Sequence, residues 1–399
     1  MKFVFHTNCV SPHQVPLARD IVKSIGEANY RYIYMIPLME ERRNMGWHIL
    51  SEPWIISETD ASQQCQGWLE NCDLLMSGLR DIDLFERRAA KGLKSFYVSE
   101  RWFKPSIGLL RIFVPSYFKM ARRIVKLLNE SENFYYLPMG IHAARDMVRL
   151  CGLMHGDWRC LFRAPKLDFE RNPGGRIWVN DESRNTQNTR KYCLDKMKMW
   201  GYFVEEGLGV RAQELVDSGK GEDSSEFRVK ECGSEGLKVL WVGRLLKLKR
   251  VDTIIKAVGE CSRSKKITLD IYGLGPEERK LKKLAAKYGD VIKFYPPVAI
   301  NEVRKLMGEH DVYVLSSNAY EGWGAVVSEA LEEGMAVIGT YEAGSSATIL
   351  PESNLFYAGD WRRLQKLLQN NILKVDIGLW SAKNAADALG AEIRSISAI

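Results

Sequence analysis

The chain has 399 residues, 46% of them apolar and 27% charged, and a net charge of +7. This length supports two or three domains with sizeable cores, and the composition excludes the disordered and fibrous classes. No uncharged apolar run reaches the roughly 18 residues of a membrane helix, so no membrane span is expected.

The opening Met1-Lys2-Phe3-Val4-Phe5-His6 turns polar too quickly for a signal peptide and reads as a first buried strand. Apolar runs at Lys2–Thr7, Tyr30–Ile36, Asp73–Ser77 and Leu93–Ser99 predict strands. A helical pattern from Val15 to Gly26, opened by Pro16, lies between the first two. The order strand, helix, strand points to a parallel sheet covered by helices. Phe162–Asp195, with Pro165, Pro173, Gly174 and Gly175, reads as loop-rich.

Between Arg101 and Asn129 there are seven basic residues and no acidic one. Trp102, Phe103, Ile107, Leu110, Phe113 and Tyr117 are interleaved with them. Basic and aromatic residues together suit an anionic membrane surface, and they equally suit a solvated helix face beside ordinary core. No nucleic-acid recognition motif accompanies the charge, so nucleic acid is not expected as a partner. The eight cysteines include no Cys-x-x-Cys pair and no zinc spacing, which predicts buried free thiols in a reducing compartment and no metal site.

Residues 206–236 are small, polar and turn-forming in two stretches, and read as a linker or surface excursion. It separates an acceptor-side domain at 1–205 from a second domain at 237–378. The tail, 379–399, is helix-prone and is expected to pack back on the first domain. The second domain is regular. Strands are predicted at Leu237–Val242, Ile267–Tyr272, Val291–Tyr295, Asp311–Leu315 and Met335–Gly339, with helices at Val251–Cys261, Glu277–Tyr288, Ile300–Gly308 and Ala325–Glu333. This is a doubly wound α/β pattern, in which ligands gather beyond the carboxyl ends of the strands.

Three features lie at such strand ends. Gly243-Arg244 follows a strand, and Lys249 precedes the next helix. A helix N-terminus with a guanidinium and an ammonium suits a diphosphate, although these cations also suit plain solvation. Glu321-Gly322-Trp323-Gly324 follows the strand 311–315. Its glycines allow close approach of a ligand, and its acid suits sugar hydroxyls or simply a turn. Glu329 lies on the flank of the apolar face of the next helix, where a carboxylate can meet paired ribose hydroxyls, with Glu332 and Glu333 toward solvent.

The stretches GRLLKLKRVDTIIKA (243–257), IYGLGPEERKLKKLA (271–285), FYPPVAINEVRKLMGEHDVYVLSS (294–317) and EGWGAVVSEALEEGMAVIGT (321–340) resemble family 4 retaining glycosyltransferases. The resemblance implies the GT-B fold, two facing Rossmann-like doubly wound domains with a central cleft. It implies that Arg244 and Lys249 hold the donor diphosphate, Glu321 contacts the donor sugar, and the amides of Gly322 to Gly324 approach sugar and phosphate. Glu329 would bind the ribose, with Gly243, Gly273 and Val298 completing the nucleotide site. Transfer is expected to be metal-independent and without a resident cofactor, with UDP-sugar favoured over GDP-sugar as donor.

The first half departs from the family. Thr7-Asn-Cys-Val-Ser-Pro-His-Gln-Val-Pro16 stands where a glycine-rich loop is usual, and Tyr97-Val-Ser-Glu-Arg-Trp102 where a histidine is usual. With Glu40–Trp47 and Trp200-Gly-Tyr-Phe203, the Pro-His-Gln-x-Pro stretch is similar to a bacterial branch that builds capsular polysaccharides and exopolysaccharides. His13, Glu100 and Arg101 become acceptor-side candidates, for a sugar or lipid-linked saccharide. The expected place is the cytoplasm, peripheral at the inner membrane face. A sugar-nucleotide epimerase or phosphorylase on the same fold, and a non-catalytic nucleotide-sugar-binding protein, remain open alternatives.

Overall fold

The computed structural model describes residues 1–37, 40, 52–105, 107–180, 186–204, 227–228, 236–370, 372–375 and 380–397. Of the expected linker at 206–236 only 227–228 and 236 are described, and most of Glu40–Trp47 lies outside the described residues. Among those described, one compact unit runs up to Phe203 and takes in the C-terminal helix, and a second begins at Val204 and ends before that helix.

The first unit is built on six parallel strands, β1 (Phe3–Thr7), β2 (Tyr30–Tyr34), β3 (Ile55–Ser57), β4 (Leu74–Ser77), β5 (Lys94–Ser99) and β6 (Phe134–Pro138), in the order β3-β2-β1-β4-β5-β6. Every residue of β1 and β4 is buried. That explains their unbroken apolar runs, since a parallel sheet is covered on both faces. The longer helices are α1 (Val15–Ile25), α2 (Ser62–Asn71), α3 (Ile82–Ala90), α4 (Pro115–Glu130) and α5 (Ile141–Met154). Pro16 sits in the first turn of α1, where its missing N–H costs nothing.

Arg88 on α3 is fully buried and ties this unit together. Its guanidinium donates to the carbonyls of Leu69, Cys72 and Lys94, each at 2.9 Å, and to Ser95 Oγ at 2.9 Å. One side chain thereby satisfies the end of α2, the entry to β4 and the entry to β5. The segment expected to be loop-rich contains an antiparallel pair, Leu167–Phe169 with Ile177–Val179, turned through Gly174 at φ 75°. Strands of three residues are too short to show a period of two, so only their turn residues were visible in the sequence.

The second unit repeats the layout with β7 (Leu237–Val242), β8 (Ile267–Tyr272), β9 (Ile292–Tyr295), β10 (Val312–Leu315), β11 (Ala336–Thr340) and β12 (Leu355–Phe356) in the order β9-β8-β7-β10-β11-β12. Its helices are α6 (Val251–Cys261), α7 (Glu278–Ala285), α8 (Ile300–Glu309), α9 (Val326–Glu332), α10 (Gly344–Ile349) and α11 (Trp361–Gln369). Val239, Ile254, Val258, Leu269, Val314 and Ile338 are buried in its core. The last helix, α12 (Ala382–Ser397), belongs to the first unit and packs on α1.

The seven described cysteines are free thiols, and all but Cys9 are buried. No helix among the described residues is long and apolar enough to cross a membrane.

Candidate functional site

In the second unit, β7 and β10 are neighbours, and the strand order reverses between them. Loops leaving two such strands diverge, which opens a crevice at their carboxyl ends. Residues 243–250 follow β7, residues 316–325 follow β10, and residues 341–343 follow β11.

The loop after β7 is seated by close backbone approach. Gly243 donates to the carbonyl of Tyr272 at 3.0 Å, and Leu245 to that of Leu274 at 2.8 Å. Gly273 has φ 148°, and a Cβ there would lie 1.9 Å from the carbonyl oxygen of Gly243. Only glycine fits that contact. Arg244 is exposed beyond it. Lys247–Lys249 forms a single 3-10 turn, and Arg250, left-handed at φ 48°, is held by Asp252 at 3.0 Å as α6 begins.

The loop after β10 is tied to this turn. Ser316 Oγ donates to the carbonyl of Lys249 at 2.6 Å, and Asn318 N–H to that of Leu248 at 2.9 Å. Across these bonds the Lys249 ammonium makes an ion pair with the Glu321 carboxylate. Both side chains are largely withdrawn from water, at 22% and 15% exposure, so this pair is screened less than a surface one.

Gly322 and Trp323 offer their carbonyls to the N–H groups of Gly344 and Ser345, at 3.1 and 2.8 Å, and Gly324 accepts from Ser345 Oγ at 2.9 Å. In a trans peptide the next N–H points the opposite way. The amides of Trp323, Gly324 and Ala325 are therefore directed away from α10. Two of these amides, those of Trp323 and Gly324, belong to the set expected to approach the donor. Trp323 itself is buried at 1% exposure and anchors the loop.

Glu329 is half-buried on α9. Between the two loops the buried Tyr313 hydroxyl donates to the Val242 carbonyl at 3.3 Å. Burial first, then the charges of Glu329 and Glu321, drive the Tyr313 pKa far above its ordinary value. Glu333, expected on the solvent side, is instead buried and held by Arg304 Nε at 2.6 Å, because α9 is covered by α8. Val298 is half-buried in the loop beyond β9, past the stacked rings of Tyr272 and Tyr295.

Gly243, Arg244, Lys249, Gly273, Glu321 to Gly324 and Glu329 thus stand on one edge of one sheet. His13, Glu100 and Arg101 belong to the first unit. His13 follows β1, and its carbonyl accepts from Phe203 N–H at 3.0 Å. The Tyr32 hydroxyl, 3.4 Å from Ser11 N, braces this glycine-free loop. Glu100 is paired with Lys104 at 2.9 Å, and Arg101 lies 3.6 Å from the buried Asp146. The basic run at 101–129 is less naked than its sequence suggests. Arg123 pairs with Asp83 and Glu86, and Lys126 with Glu130, acids outside the run.

Sequence reasoning missed Tyr313, Ser316, Thr340 and Ser345. The last two hold the loop after β10, Thr340 Oγ1 donating to the Ser317 carbonyl at 2.6 Å. The small run Ala343-Gly344-Ser345-Ser346 after a buried strand was their only signal.

Residues 223–395 match the family model described as glycosyl transferases group 1. An uncharacterized glycosyltransferase of Methanocaldococcus jannaschii is 30% identical over 191 residues, covering 46% of this chain and 47% of that protein. The GtfA subunit of a UDP-N-acetylglucosamine–peptide N-acetylglucosaminyltransferase of Streptococcus pneumoniae is 28% identical over 134 residues, 31% of this chain and 26% of that one. The chain thus spans about half or less of the length of these curated relatives.

Among solved structures, Anabaena HepE in complex with UDP superposes with a TM-score of 0.56 at 14% identity, over 100% of both chains. The lipopolysaccharide outer core galactosyltransferase WaaB does so at 0.54 and 13%, over 99% of both. The fold is therefore GT-B, built from two Rossmann-like units, and residues 223–395 carry the sequence pattern of glycosyl transferases group 1.

The Gly273 contact gives a direct test of this edge. Gly273→Ala is expected to lower unfolding free energy by about 3 kcal/mol or more, through the clash and the positive φ together. A denaturation midpoint unchanged from wild type would show that the loops are not seated as described.

Proposed function

We propose that this chain is a retaining glycosyltransferase that moves a sugar from a nucleotide-diphosphate donor to an acceptor hydroxyl. The observation that carries the reading is the Lys249–Glu321 pair at the strand-order reversal of the second sheet, with Arg244 on the same loop as Lys249. One loop brings a cation suited to phosphate and the other a carboxylate suited to sugar hydroxyls. The group 1 match over 223–395 supports the same class.

In this reading the diphosphate lies against Arg244, Lys249 and the amides of Trp323 to Ala325. Glu321 accepts from the donor sugar, and Glu329 from the ribose. As the glycosidic bond to phosphate lengthens, negative charge grows on the leaving diphosphate and positive charge on the sugar ring. Fixed cations at the leaving group stabilise that separation without reorganising. The acceptor hydroxyl attacks on the face the diphosphate leaves, which retains configuration, and the departing phosphate takes its proton. No metal is required where two side-chain cations serve. The names of relatives that use UDP-N-acetylglucosamine or bind UDP favour a uridine donor.

Arg244→Ala and Lys249→Ala are each expected to lower kcat by two to three decades, about 2–4 kcal/mol of leaving-group stabilisation. The assay is release of nucleoside diphosphate from a donor panel, with the product's anomeric configuration read by NMR. Full turnover by either variant, or an inverted product, would overturn the mechanism. Donor isomerised without any acceptor would mark an epimerase.

The acceptor is proposed to be a saccharide, free or lipid-linked, in surface polysaccharide or glycoconjugate synthesis at the inner membrane face. Ile107, Leu110, Phe113 and Val114 are exposed on and beside the turn Gly108–Phe113, next to exposed Lys119 and Arg122. Apolar wedge and cations together suit an anionic bilayer. Leu110→Ser/Phe113→Ser is expected to abolish sedimentation with anionic vesicles. Wild type that fails to sediment at low salt would remove the membrane from the account.

A further inference from the structure

At the carboxyl edge of the first sheet, two guanidiniums lie against one carboxylate, and a third arginine stands on the same helix. Arg101 stands two residues beyond β5. Arg145 and Arg149 lie one turn apart on α5, which leaves β6 almost directly. Asp146 between them is completely buried.

Its Oδ1 accepts from Arg149 Nη1 at 3.2 Å. Its Oδ2 accepts from Phe103 N–H at 3.0 Å and lies 3.6 Å from Arg101 Nε. Burial first, then the like charge of Arg149, pulls the Arg145 pKa below its ordinary value, against the opposing pull of Asp146. The neighbouring acid, Glu100, is already paired with Lys104. The buried Nε atoms of Arg101 and Arg149 have no hydrogen-bond partner among the described residues.

Positive charge therefore exceeds negative here, and donors exceed acceptors, in a place partly removed from water. Burying Asp146 is costly unless it fixes something. What it fixes is the guanidinium of Arg149 and the chain entering at Phe103, beside Arg101. Planar guanidinium forks held this way suit the paired oxygens of a phosphoryl group.

We propose that Arg101, Arg145 and Arg149, braced by Asp146, bind a phosphoryl group in the first unit, that of a phosphorylated or diphosphate-linked acceptor. The anion site stands on this geometry alone. Its assignment to the acceptor rests on the transferase reading.

The test uses the full chain carrying Arg244→Ala and Lys249→Ala, which removes the second unit as a competing anion site. Inorganic pyrophosphate is titrated by calorimetry. Saturable binding is expected, weakened tenfold or more by Arg145→Gln and by Arg149→Gln, the loss of one charge-assisted contact. Arg145→Lys should keep part of the affinity. Affinity unchanged by both glutamines, or no binding in the parent, would overturn the site.

In the chain with Arg244 and Lys249 intact, Arg145→Gln should leave nucleoside-diphosphate binding unaltered. Failure of the anion site is thereby separated from failure of the donor site. Competition by glucose 1-phosphate identifies a soluble phosphate as the natural group. Competition by phosphatidylcholine vesicles containing phosphatidic acid identifies a lipid-borne one. Competition by neither contradicts the proposal.

Discussion

The arrangement of the second unit turns on the ion pair between Lys249 and Glu321. The two residues are far apart in sequence and come from loops that the sheet sends in opposite directions. Such loops have no reason to meet unless something draws them together. Ser316 and Asn318 do so through backbone carbonyls of the Lys247–Lys249 turn, and the charges then face each other with little water between them. A preassembled cation and anion at one point can receive a molecule that is anionic at one end and hydroxylated at the other. A nucleotide-diphosphate sugar is such a molecule. Because both loops are tied, the charges need not be gathered anew when such a molecule binds.

The same edge depends on the absence of side chains. Gly273 meets the carbonyl of Gly243, and Gly344 meets that of Gly322, where a Cβ would lie 2.7 Å from the oxygen. Each contact lets one strand-end loop rest on the next. The first unit has the same strand order but solves its corresponding loop differently. There Tyr32 supplies a hydroxyl beneath Ser11, and His13 is fixed by its carbonyl. The first sheet's cations gather instead farther along the edge, beyond β5 and β6.

Much of this was legible in the sequence, for a physical reason. Parallel strands buried on both faces read as unbroken apolar runs, so LKVLWV and DVYVL announced β7 and β10 to within a residue. Glycines and charges immediately after such runs then marked the site, because strand ends are where a doubly wound sheet exposes its backbone. Three things were hidden. Tyr313 lies inside an apolar run and shows nothing of its hydroxyl's place beneath Val242. The partners of Arg123 and Arg101 come from α3 and α5, and no local pattern reports contacts across so much chain. Glu333 had the sequence signature of a solvated helix acid, and only the packing of α8 on α9 buried it beside Arg304.

The two sheets divide the chemistry by charge. The second brings a cation and carboxylates to one edge, and the first brings an excess of arginines about Asp146. The central claim is that the edge of the second sheet holds a nucleoside diphosphate. Thermal unfolding with uridine, guanosine, adenosine and cytidine diphosphates measures this most directly, since a ligand bound only by the folded state stabilises it by about 2.7 kcal/mol at a hundredfold excess over Kd. The account predicts a raised Tm with one of them, uridine diphosphate first, lost in the Lys249→Ala chain. An unshifted Tm with all four, or a shift that survives Lys249→Ala intact, would contradict it.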